Sequence, residues 1–159
     1  MTTRRITIGI TTACALVGLA SASAFAEDGK SFPGILCQAS GSAQDLSYST
    51  TSVANRNATT SSAVCPIVRD VMGEPASSIE VELRDRHEVQ NIQCTAYSVS
   101  TTGTAAWLQT LSTAGTGFQT LSFDAIEASD WGAYSLVCAL PGMTDNVPSY
   151  LATYRISEP

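Results

Sequence analysis

DWGAYSLVCALPG, residues 130–142, decides how the rest of the chain is read. Asp130, Trp131 and Gly132 have the composition of a corner. The chain then continues as a short run without charge. Side chains four apart on a strand share a face, so Tyr134 and Cys138 should lie together. A corner feeding a strand that ends at Pro141-Gly142 is what an antiparallel β protein repeats along its length.

The flanking segments repeat it. SIEVELRDRHE (78–88) alternates strictly. Ile79, Val81 and Leu83 point one way, and Glu80, Glu82, Arg84, Arg86 and Glu88 the other. The mixed signs of that polar face suit cross-strand pairs and would also guard a sheet edge. In VQNIQCTAYSVS (89–100), Ile92, Cys94, Ala96 and Ser98 share one face, with Gln93, Thr95, Tyr97 and Val99 on the other. Further strands are expected at 34–39, 63–70, 104–113, 118–126 and 150–159. Pro66 places 63–70 at an edge or a bulge, because proline gives no ladder donor. Residues 43–62 read as polar loop, with an edge strand near Leu46 to Tyr48. About eight short strands joined by Gly, Thr and Ser turns predict an all-β antiparallel sandwich, immunoglobulin-like or jelly-roll-like.

The first 26 residues have a separate logic. Arg4 and Arg5 precede an apolar stretch, and Ala24-Phe25-Ala26 stands before the acidic Glu27 and Asp28. That is the layout of a Sec-type signal peptide, so the expected product is one domain, 27–159, secreted or periplasmic. Removing Arg4 and Arg5 leaves six basic side chains against 14 acidic ones, a net charge of −8. So acidic a chain suits neither phosphate backbones nor anionic membranes. No later stretch approaches the ~20 apolar residues of a spanning helix.

Export gives the cysteines their meaning. Beyond Cys14 in the leader, the chain carries Cys37, Cys65, Cys94 and Cys138. Four cysteines allow three pairings, of which Cys37–Cys65 and Cys94–Cys138 are expected here. No two are close enough for the paired ligands of a zinc site, and no metal or other cofactor is expected.

Two resemblances follow from these residues. Cys94, Trp107, Leu121, Phe123, Ile126, Asp130, Gly132, Tyr134 and Cys138 are spaced in a way that resembles an immunoglobulin domain. There the cysteine follows the tyrosine by two residues, whereas here it follows by four. The segments VCPIVRD (64–70), YSLVCALP (134–141) and SYLATYRISE (149–158) resemble small exported bacterial proteins. Those share Cys-Pro-x-x-Arg-Asp, Tyr-x-Leu-x-Cys-x-Leu-Pro and Tyr-Arg-x-x-Glu. This second likeness implies compartment and fold but no mechanism.

Catalytic groups are scarce. His87 is the single histidine, and Asp85 two residues before it could orient it as a general base of an exported hydrolase. A carboxylate pair is the other hydrolytic arrangement considered. No calcium loop, nucleophile elbow or phosphate loop is present, and no catalytic residue is assigned. Aromatic side chains offer a better binding surface. Trp107, Trp131, Tyr97, Tyr150 and Tyr154 could form a stacking platform; against this, Trp107 and Tyr134 are expected in the core, and Trp131, Tyr97 and Tyr150 are the candidate ligand-binding residues. The expected function is therefore a non-catalytic binding module for a carbohydrate or protein partner. An inhibitor or toxin-related factor contacting its target through 43–62 is a further alternative.

Overall fold

The computed structural model describes residues 28–41, 46–70, 73–127 and 131–159. The leader and Asp130 therefore lie outside the described residues. The strands are β1 (Asp28–Pro33), β2 (Gln38–Ala39), β3 (Leu46–Tyr48), β4 (Val53–Asn55), β5 (Ser61–Ile67), β6 (Ser78–Asp85), β7 (Gln93–Val99), β8 (Ala105–Ser112), β9 (Gly117–Phe123), β10 (Ala133–Leu140) and β11 (Tyr150–Glu158). One sheet has the order β3-β4-β11-β6-β9, with β1 also pairing β11; the other runs β2-β5-β10-β7-β8. All pairings are antiparallel. From β4 to β7, and again from β8 to β11, consecutive strands alternate between the sheets, as in a jelly roll.

The core is built by the alternation read from the sequence. Ile79, Val81 and Leu83 of β6, Cys94 and Ala96 of β7, and Tyr134, Leu136, Cys138 and Leu140 of β10 are all buried. Leu151, Tyr154 and Ile156 of β11, which pairs with β6, are buried too, so Tyr154 is core and not part of an exposed aromatic platform. Trp107, expected in the core, is partly buried at its margin.

Both expected disulfides form, Cys37–Cys65 and Cys94–Cys138. Their placement departs from the immunoglobulin pattern. Cys94 and Cys138 are direct cross-strand partners in β7 and β10, with Cα atoms 4.0 Å apart. The bridge lies within one sheet, whereas an immunoglobulin domain uses it to join two.

Other expectations need correction. β6 is paired on both sides, so its charged face does not guard an edge. Residues 34–39 are not one strand: Gly34–Leu36 forms a 3-10 turn and only Gln38–Ala39 is extended. A Cβ at Gly34 would collide with the Leu151 carbonyl oxygen, so the chain crosses β11 too closely for any side chain. β1 and β4 lie in segments not expected to be strands. Pro66 fits its position, because β2 stops at the level of Val64 and leaves that side of β5 open. Its carbonyl, on the side its missing N–H would face, accepts from Tyr154 Oη at 2.7 Å.

Candidate binding face

The structure does not bring the three nominated aromatic residues together. Trp131 sits on the turn before β10, 78% exposed, at the left-handed φ of 58°. Tyr97 projects from the outer face of the five-stranded sheet, opposite in phase to the buried Cys94, Ala96 and Ser98. Tyr150 projects from the outer face of the other sheet, opposite in phase to buried Leu151.

Tyr150 does belong to a group. Register places Arg84 between Phe118 on β9 and Tyr150 on β11. Phe118 is 69% exposed. The Arg84 guanidinium lies 4.4 Å from its ring centre, and the Tyr150 ring meets it edge-on at 6.3 Å. One step along the same face, Glu82 accepts from Thr153 Oγ1 at 3.0 Å. A further step on, Glu80 pairs with Arg155. A bulge at Ala152 opens the face beside Phe118. The hollow there, of about 330 Å³, is lined by Glu82, Phe118, Gln119, Thr120 and Ala152.

Above the row, loops make a second hollow of about 330 Å³, lined by Arg84, Arg86, Glu88, Thr116, Thr144 and Asp145. Asp145 is held on its rim by a tight turn in which Asp145 and Asn146 have φ of 52° and 60°, closed by Val147 N to Thr144 O at 2.9 Å. Arg86 is tied down through its backbone N–H, which donates to Ser149 Oγ at 2.9 Å.

Phe118 was missed in the sequence, although a signal was there. It is out of phase with the buried Leu121 and Phe123, which puts an aromatic ring on a strand's polar face.

The candidate dyad has another role. Asp85 is buried, and its oxygens accept from His87 N at 3.0 Å, Ser149 Oγ at 3.2 Å, Ile92 N at 3.0 Å and Thr113 Oγ1. His87 Nδ1 accepts from Val89 N and Gln90 N, at 3.1 and 2.9 Å. Asp85 thus bonds the backbone of His87, and both residues shape the loop from β6 to β7. Among the described residues no group of acidic, His or Cys side chains is arranged to hold a metal ion. No helix among them is long and apolar enough to cross a membrane.

The motif residues meet elsewhere, in a knot between the sheets. Glu158, 1% exposed, accepts from Asp70 N at 2.9 Å and Arg69 Nε at 3.4 Å, and pairs with Lys30. Arg69 lies 4.1 Å from the Tyr134 ring centre. Tyr134 Oη donates to Ile126 O at 3.2 Å and accepts from Ala76 N at 3.3 Å. Burial pushes the Glu158 carboxyl up, but Asp70 N–H, Lys30 and Arg69 outweigh it and hold the group below its ordinary value of 4.5. Burial alone pushes Tyr154 up to about 12. These contacts hold strands together.

No protein-family model and no curated protein matches the chain. Solved structures do match in fold. The low affinity xylan binding module CBM86 from the gut symbiont Roseburia intestinalis aligns with a TM-score of 0.55 at 11% identity, over 83% of this chain and 96% of its own. The CBM36-1 domain of a multidomain xylanase from the hindgut metagenome of Trinervitermes trinervoides aligns at 0.53 and 6% identity, over 81% and 96%. The chain shares the β-sandwich fold of these carbohydrate-binding modules.

Proposed function

We propose that the protein is a non-catalytic carbohydrate-binding module, acting outside the cytoplasm, whose ligand lies on the outer face of the six-stranded sheet. The Phe118–Arg84–Tyr150 row carries this reading. The apolar C–H face of a pyranose stacks on an exposed ring, while planar guanidinium and carboxylate groups take pairs of sugar hydroxyls. Arg84, Glu82 and Thr120 stand within one residue step of Phe118 on a rigid sheet. The loop hollow above adds Glu88 and Asp145 at its rim. The likeness in fold to a xylan binding module supports the reading. The resemblance to small exported bacterial proteins, the leader-like N-terminus and the paired cysteines support the location.

The test is calorimetry and affinity electrophoresis against neutral polysaccharides, xylan first. Phe118→Ala and Tyr150→Ala should each weaken binding by about tenfold or more, with Trp131→Ala unchanged. Absence of binding to any polysaccharide would overturn the reading. Binding lost only in Trp131→Ala would move the site to the turn before β10, where the exposed left-handed Trp131 is the alternative anchor.

A further inference from the structure

Charge is partitioned between the two sheets. No residue of β2, β5, β7, β8 or β10 is charged, in a chain with a net charge of −6. The five-stranded sheet ends on β8, eight residues reading AAWLQTLS, whose outer edge has no strand partner among the described residues. Long edges are normally blunted by charge, proline or shortness. β2 and β3, at the opposite edges, are two and three residues long. β9 has the acidic residues of β6 beside it, and its Gln119 bonds back to Ala114 N and Gly115 O. β8 is long and carries no charge or proline of its own; its one such protection is Gln109, whose side-chain amide donates to Asp124 Oδ2 at 3.1 Å and accepts from Asp124 N at 3.0 Å. Leu108 is 58% exposed, and Trp107 and Leu111 are only partly covered at the core's margin.

We propose that β8 docks a second copy of this chain, strand against strand, across a two-fold axis. A second copy is favoured because the sheet ending on β8 carries no charge of its own, and the acidic Asp124 beside the seam is engaged by Gln109. Elsewhere two copies of an acidic chain would confront like charges. Directly opposed residues must share a face. A two-fold at Gln109 therefore sets Trp107 against Leu111 and Leu108 against Thr110, completing the cover of the first pair. The five-stranded sheets merge into one of ten. The axis is perpendicular to that sheet, so both six-stranded faces look the same way. If the carbohydrate reading holds, the dimer is bivalent and gains avidity on a polymer.

Sedimentation equilibrium of the purified protein without carbohydrate tests the dimer independently of ligand binding. At about 100 μM the protein should weigh twice the monomer, in low or high salt. Thr110→Lys and Leu108→Lys, both at exposed positions, should each weaken association by about tenfold or more without moving the thermal midpoint at dilutions where wild type and variant are both monomeric. A monomer at that concentration, or a dimer indifferent to both lysines, would overturn the proposal.

Discussion

Asp85 shows how much a single buried carboxylate can organise. Its two oxygens accept from two backbone N–H groups and two hydroxyls, and all of them belong to loops around the hollow above Arg84. Asp85→Asn replaces one acceptor by a donor facing donors, so it should cost about 3 kcal/mol in urea unfolding. His87→Ala removes an acceptor near the surface and should cost less than about 1 kcal/mol. Glu158 behaves differently because its partners are charged. Its folded pKa is depressed, so its contribution is present above the ordinary value of 4.5 and disappears as pH falls through the lower folded value. Thermal midpoints of Glu158→Gln should therefore converge on those of the wild type at the acid end and lie below them at pH 7. Neither role was legible in the sequence. Thr113 and Ser149 lie 28 and 64 positions from Asp85, whereas its near neighbour His87 suggested a dyad that topology does not make.

The two disulfides do different work because their strands differ. Cys94–Cys138 joins β7 and β10, which are already paired along seven residues. Cys37–Cys65 anchors β2, whose ladder to β5 has two residue pairs. The chain-entropy difference between loops of 44 and 28 residues is only about 0.4 kcal/mol. Double Cys→Ala variants should thus lose similar global stability, about 3 to 4 kcal/mol each, but differ locally. Amide exchange should show β2 opening on its own only when Cys37–Cys65 is removed; equal protection of β2 in both variants would contradict this. Element by element, β6, β7 and β10 were legible because each buries one face and so alternates. β1 (DGKSFP) and β4 (VAN) carry no such pattern. β1 exists because β11 offers it a ladder from Thr153 to Glu158, a partner more than a hundred residues away that no local window contains.

At the scale of the molecule, that pairing is general. Successive strands cross between sheets, so ladders such as β1 with β11 and β6 with β11 join distant parts of the chain. No contiguous segment has a core of its own, and unfolding should be all-or-none. All four cysteines of the two disulfides are fully buried, so a reductant reaches them only through opening of the structure. Strand-edge fraying does not suffice for Cys94–Cys138, since β7 and β10 are both flanked by other strands. Mass spectrometry after alkylation, across a urea series with dithiothreitol, should then show Cys94 and Cys138 unlabelled at low urea. Their labelling should rise with the fraction unfolded measured by tryptophan fluorescence. Cys37 and Cys65 lie nearer the short β2 edge and should label at slightly lower urea. Rapid labelling of Cys94 and Cys138 in the absence of urea would mean that the sandwich opens locally between β7 and β10, contrary to a single cooperative unit.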